Sequence, residues 1–195
     1  MDRYIFLDRD GTINVEKHYL YKIEDFEYEF GVIESLKGLQ KLGYKFIIIT
    51  NQAGIAKGYY SEDDYLKLEK FIENDLLNKG IKIEKTYYCP HHPKGKAPYN
   101  INCDCRKPKT GMFLKAIEEF NVDIENSYMV GDRFTDLLPA DKLGIHPVLI
   151  KTGYGEKQLD DLVYSNEKID IELNKILIVD NMLDLLNKLI LNNKN

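Results

Sequence analysis

The run Tyr44-Lys45-Phe46-Ile47-Ile48-Ile49-Thr50 constrains the fold of this chain more than any other stretch. It is apolar and β-branched, with no polar residue at alternate positions. A strand of that kind needs cover on both faces, which a parallel sheet sandwiched by helices provides. Tyr4 to Leu7, Lys82 to Tyr88, Ser127 to Asp132, His146 to Ile150 and Lys175 to Val179 also read as strands. Between them lie segments with helical period. Gly31 to Leu42 places Val32, Ile33, Leu36, Leu39 and Leu42 on one face and ends at Gly43. Ser61 is an N-cap with Asp64 three residues on, opening a helix toward Lys79-Gly80. Thr110 to Phe120, Thr135 to Leu143 and Asn181 to Leu191 read as further helices. Strand and helix alternate, so the expected fold is α/β: a three-layer, Rossmann-like parallel sheet with helices on both faces. The 195 residues are enough for one well-packed domain, expected over 1–195. Residues 155–174 are polar and carry no assignment.

Ligands in such folds sit beyond the carboxyl ends of the strands, where strand order reverses. Polar residues gather at those ends. Asp8 and Asp10 follow the first strand, Thr50 and Asn51 the second, and Asp132 a later one. Two carboxylates so close repel each other, and burying either one unpaired is costly, so a positive partner is expected. A hard divalent cation such as Mg²⁺ suits Asp8, Asp10 and Asp132. Lys107, the Thr50 hydroxyl and backbone amides can hold phosphate on the other side. One aspartate can attack phosphorus and the other can shuttle protons. Asp136 has two readings, a helix-start cap or support for the cation site. Arg9 is expected to pair with carboxylates, and His146 to be structural.

All three cysteines, Cys89, Cys103 and Cys105, crowd into a loop of about 89–109 together with His91 and His92. Three thiolates and an imidazole make a closed, structural Zn²⁺ shell, and three free thiols are the alternative. The zinc would order a loop with little apolar content and fix Arg106 and Lys107, which follow Cys105 directly.

FLDRDGT at 6–12, Ile49-Thr50-Asn51-Gln52, Arg106-Lys107-Pro108 and Gly131-Asp132-Arg133-Phe134-Thr135-Asp136 resemble, in order and spacing, the four motifs of the haloacid dehalogenase superfamily of phosphatases. RDGTIN, the TNQ and GIA segments, YYCPHHP, the CDCRKP segment and TGYG are similar to the subgroup acting on D-glycero-D-manno-heptose 1,7-bisphosphate or histidinol phosphate. The resemblance implies an Mg²⁺-dependent phosphomonoesterase working through an aspartyl-phosphate. Its substrate would be the 7-phosphate of the heptose bisphosphate, with histidinol phosphate the alternative. It makes Asp8 the nucleophile and Asp10 the acid/base, which also offers its carbonyl to the cation. Asp132 becomes the remaining protein ligand, and Asp136 supports it. Thr50 and Lys107 hold the phosphoryl group. Glu16, Lys17, His18, Tyr19, Asn51, Gln52, Ala53, Arg106 and Arg133 contact the rest of the substrate. The Cys-x-His spacing of the subgroup selects His91 over His92 for zinc. His18 stands where glycine is common in that subgroup, and Ala53 where serine is.

A net charge of −5 leaves no basic footprint for nucleic acid or an anionic membrane. It argues against a zinc-stabilised nucleic-acid-binding module. No apolar run approaches the ~20 residues of a membrane span, and no signal peptide is read. The expectation is a cytoplasmic monomer acting on a small sugar bisphosphate, with no large cap domain and the zinc loop at the rim.

Overall fold

A computed structural model describes residues 1–165 and 170–192. Six parallel strands form one sheet: β1 (Tyr4–Leu7), β2 (Lys45–Asn51), β3 (Ile83–Cys89), β4 (Tyr128–Gly131), β5 (His146–Ile150) and β6 (Leu177–Val179). Their order is β3-β2-β1-β4-β5-β6, so the chain first builds outward from β1 and then returns to its other side. The reversal lies between β1 and β4. Register there is Leu7↔Ile48 on one side and Leu7↔Val130 on the other. Asp8 therefore emerges one residue past this row, and Thr50 and Asp132 two residues past it. All three reach the same edge of the sheet.

The two-residue period of β1 divides the core. Ile5 and Leu7 face α1 (Val32–Lys41), α3 (Glu62–Asn78) and α7 (Met182–Asn192), through Leu36, Leu39, Leu68, Ile72 and Leu185. Tyr4 and Phe6 face α4 (Gly111–Glu119) and α5 (Phe134–Lys142), through Phe113, Ala116, Leu137 and Ala140. Ser61 caps α3 in a reciprocal box: its Oγ accepts from Asp64 N at 3.1 Å, and its own N donates to Asp64 Oδ2 at 3.1 Å. Aspartate thus serves where glutamate is usual.

Two helices were not evident from periodicity. The five residues of α2 (Ala53–Lys57) are too few to show a period. Helix α6 (Gly155–Ser165) falls in the unassigned stretch 155–174, where Leu159 and Leu162 pack on the Phe113 side of the core. Residues 166–169 of that stretch lie outside the described residues. Leu173–Lys175 is a 3₁₀ turn, so β6 starts later than the expected Lys175.

Leu36 is fully buried in α1 against this core. Leu36→Ala should lower unfolding stability by ~2–5 kcal/mol through lost transfer energy and a residual cavity. Urea denaturation measures it, and a loss under ~1 kcal/mol would mean that α1 collapses onto the gap.

Candidate active site

The turn after β1 is wound on one carbonyl. Arg9 O accepts the amides of Thr12, Ile13 and Asn14 at 3.3, 2.8 and 3.1 Å. Gly11 closes it at φ 81°, and a Cβ there would lie 2.3 Å from Asp132 Oδ2. Gly153, at φ 55° in the loop after β5, crowds the same oxygen at 2.3 Å. Only residues without a Cβ let these two loops close on Asp132. Thr152 Oγ1 donates to Gly11 O at 2.6 Å and ties them together.

At the sheet edge Lys107 is buried among acceptors. Its Nζ lies 2.7 Å from Asp8 Oδ1, 2.9 Å from Asp136 Oδ1 and 2.7 Å from Ile49 O. Its backbone is clasped by Asn51, whose Nδ2 donates to Lys107 O and whose Oδ1 accepts from Lys107 N, both at 3.1 Å. Burial works against its charge, but Asp136 and Asp8 outweigh burial and its pKa rises. Asp136 caps the helix, as one reading of it has it, and also pairs with Lys107. One oxygen takes Lys107, and Oδ2 accepts Arg133 N at 3.1 Å at the start of α5.

Asp8, Asp132 and Asp136 bring carboxylate oxygens within 4.8 Å of one another. One lysine cannot neutralise three carboxylates. Asp132 is fully buried; its Oδ2 accepts Tyr154 N at 2.8 Å, while Oδ1 has no partner. A buried, unpartnered carboxylate oxygen among acidic neighbours fits a hard cation ligand. Burial first, then neighbouring carboxylates against Lys107, lift Asp8 to about 7. Burial, Asp136 and Asp8 lift Asp132 to about 8.

Asp10 is held differently. Arg9 Nη2 lies 2.9 Å from both of its oxygens, Asn14 Nδ2 donates to Oδ1 at 3.1 Å and Gln52 Nε2 to Oδ2 at 2.9 Å. Burial opposes its charge, but Arg9 and these donors outweigh burial and its pKa falls. Its side chain is thus engaged by donors, whereas Asp8, Asp132 and Asp136 form the carboxylate cluster.

A cavity of about 350 Å³ opens over this cluster, with Asp132 behind its wall. Asp8, Asp10, Glu16, His18, Tyr19, Thr50, Asn51, Gln52, Ala53, Arg106, Lys107, Arg133 and Asp136 line it. Lys17 does not: its Nζ donates to Asp25 O at 2.8 Å and pairs with Glu27 at 3.1 Å. Gln52 is committed within the wall, giving Nε2 to Thr50 Oγ1 at 2.9 Å and accepting from Tyr60 OH at 2.6 Å. Lys57, Tyr60, Thr135 and Tyr154 also line the cavity, beyond the residues singled out from sequence. Tyr154 carried a signal in TGYG. Its ring lies 3.7 Å under Arg133, and its hydroxyl is 2.9 Å from His18 Nδ1. Lys57 had none, because α2 was invisible to periodicity; its Nζ donates to Tyr19 OH at 2.6 Å.

Beside the cavity, Cys89, His91, Cys103 and Cys105 place ligand atoms within 4.8 Å of one another. Cys105 Sγ is 3.1 Å from both Cys89 and Cys103 Sγ and 3.3 Å from His91 Nδ1. The sulfurs are too far apart for disulfides, and the four-atom cluster is the size of a tetrahedral metal shell. His92 turns to its own loop, accepting from Lys94 N. Arg106 donates to His91 O at 3.2 Å, linking the cluster to the residue before Lys107. His146 bonds Glu125 O at a strand edge. No helix of the described residues is long and apolar enough to cross a membrane.

A HAD-hydrolase-like family model matches residues 104–178. Over 154 residues, 78% of this chain, it is 47% identical to the D-glycero-beta-D-manno-heptose-1,7-bisphosphate 7-phosphatase of Pasteurella multocida, covering 84% of that protein. The D-glycero-alpha-D-manno-heptose-1,7-bisphosphate 7-phosphatase of Photorhabdus laumondii is 46% identical over 169 residues, 85% of this chain and 92% of its own length. The crystal structure of a D,D-heptose 1,7-bisphosphate phosphatase from B. bronchiseptica with magnesium and phosphate shares the fold. Its TM-score is 0.83 at 24% identity, over 97% of this chain and 99% of that one.

The raised Asp8 and Asp132 pKa values contribute a pH response to the metal-free protein. Unfolded aspartates titrate near 3.9, so the folded chain holds protons that the unfolded one releases. The associated stability is full below about pH 4 and is lost as pH rises through about 7 and 8. The melting temperature without metal should therefore fall from pH 6 to pH 8. Mg²⁺ should raise it more at pH 8 than at pH 6, and a flat or opposite response would contradict the charge assignment.

Proposed function

The chain belongs to the heptose-1,7-bisphosphate 7-phosphatase family of HAD-like hydrolases, and we propose that it removes the 7-phosphate from D-glycero-D-manno-heptose 1,7-bisphosphate in an Mg²⁺-dependent reaction. The observation that carries this reading is Lys107 buried against Asp8 and Asp136, beside Asp132 with its unpartnered oxygen. That arrangement suits a transferring phosphoryl group and one divalent cation and little else.

Asp8, Asp132 and the Asp10 carbonyl would hold Mg²⁺, with Asp136 in support. When bound, the cation offsets charge between the nucleophile and the phosphate oxygens. Lys107 and the Thr50 hydroxyl hold the phosphoryl group. Asp8 attacks phosphorus, the bond from phosphorus to the ester oxygen breaks, and Asp10, protonated from solvent once the substrate's phosphate charge beside it offsets Arg9, gives that oxygen its proton. Water then attacks the aspartyl-phosphate, Asp10 takes its proton, and Asp8 is released with phosphate. Arg106 and Arg133 face the part of the cavity open to the rest of the substrate, with Glu16, His18, Tyr19, Asn51, Gln52 and Ala53 around it. We assign the Cys89–His91–Cys103–Cys105 cluster to structural Zn²⁺, because its donor set is closed and needs no water. Cysteines gathered as metal ligands and not as disulfides fit a reducing cytosol, and a net charge of −5 fits a domain that binds no nucleic acid.

Phosphate release from both anomers of the heptose bisphosphate and from histidinol phosphate tests the substrate. The bisphosphate should be used best, and a preference for histidinol phosphate would overturn the assignment. Asp8→Asn should end turnover while preserving the fold, because an amide cannot attack phosphorus.

The zinc assignment has its own check. Purified protein should carry one zinc per chain, and Cys103→Ser should lose it, melt earlier and use substrate poorly, since the loop no longer fixes Arg106 and Lys107. Folded, fully active protein without zinc would refute the structural role.

A further inference from the structure

Arg9 sits between the two motif aspartates and is completely shielded from solvent. A buried guanidinium needs charge and hydrogen bonds from the protein itself. One nitrogen, Nη2, lies 2.9 Å from each Asp10 carboxylate oxygen, with Leu20 O at 3.3 Å and Gln52 Oε1 at 3.4 Å as weaker acceptors. The other end of the plane faces away from the cavity: Nη1 is 3.8 Å from Glu69 Oε2, a Coulombic pair rather than a hydrogen bond. Glu69 is itself buried on α3 and outside the cavity lining. Thr86 on β3 lies beside it, with Oγ1 2.9 Å from Glu69 Oε1 and 2.7 Å from Glu73 Oε1. The ring of Tyr65, one turn earlier on α3, lies 5.5 Å from the Arg9 guanidinium carbon.

We infer that Glu69 is a positioning residue for proton transfer, acting through Arg9 to set the attitude of the Asp10 carboxylate. The guanidinium is planar and rigid, so what holds Nη1 also orients Nη2. Among the described residues Arg9 pairs with only two carboxylates, Asp10 and Glu69. With Glu69 neutralised, Asp10 is the one carboxylate left to the buried cation, and it turns from its donor Asn14 toward Arg9. Asp10 then meets the ester oxygen at the wrong angle, while Asp8, Lys107 and the cation site, which Glu69 does not touch, keep their geometry. This inference rests on the reading that Asp10 protonates the leaving group.

The test uses the leaving group. The quantity kcat/KM covers steps only through the first irreversible one, here departure of the alcohol. An alkoxide from a sugar phosphate needs a proton to leave, and the nitrophenolate of 4-nitrophenyl phosphate does not. Glu69→Gln should lower kcat/KM ~10-fold or more on the sugar phosphate and less than ~3-fold on the aryl phosphate, because only the general-acid contribution is lost. Equal losses on the two substrates, or none, would overturn the inference and leave Glu69 a structural counter-charge. Should the Gln variant not fold, Glu69→Asp keeps the buried charge but withdraws it from Arg9. It should show the same contrast at smaller size, and a folded Asp variant without it overturns the inference equally. Asp10→Asn measured alongside separates the two levels. If it shows no contrast, the reading of Asp10 fails; if it alone shows the contrast, only the role of Glu69 fails.

Discussion

The Lys107 ammonium is the interaction on which the rest of the site depends. It is almost wholly buried and joins Asp8 after β1, Asp136 on α5 and the Ile49 carbonyl of β2. These elements meet only because β1 lies between β2 and β4. Without the lysine, three carboxylates would face one another in a buried space, and breaking such a pairing costs on the order of 3–5 kcal/mol. With it, the negative charge is reduced but not cancelled. The remainder suits a cation, and a cation with a lysine beside it suits phosphate.

Holding a lysine in such a place requires a rigid backbone, and two features supply it. Asn51, at the end of β2, spends both ends of its amide on the Lys107 peptide groups. The cysteine–histidine cluster lies on the approaching chain, with Arg106 bonded to the carbonyl of His91, and would anchor it when holding zinc. A loop of Pro, Gly, Lys and Asn residues has no apolar core of its own to do this. The cluster begins at Cys89, the last residue of β3, so the loop is pinned to the sheet edge that carries the chemistry.

The rim of the cavity is built from the chain that follows each strand end. His18 and Tyr19 adopt φ of 50° and 65°, unusual for residues with side chains. They are held from two sides, His18 by Tyr154 and Tyr19 by Lys57 and the ring of Tyr59 at 4.5 Å. Backbone conformations of this kind cost of order 1 kcal/mol or more and persist only where the surroundings fix them. This segment is therefore shaped before a ligand arrives, and a preformed wall requires less ordering on binding.

The sequence alone determined the layered α/β architecture, because apolar runs without alternation demand cover on both faces. It also determined which residues stand at strand ends, since Asp8, Thr50 and Asp132 each close such a run. The cysteine cluster was legible from composition, every thiol lying in one loop. Tertiary structure decided what no local pattern encodes. It turned Lys17 toward Asp25 and Glu27, away from the cavity, because a side chain's direction depends on its neighbours. It brought in Lys57 on a helix too short to show a period, and gave Asp136 a second partner in Lys107. It also buried Arg9 between Asp10 and Glu69, which are 59 residues apart, a pairing set by the packing of α3 against the sheet edge and not by any spacing along the chain.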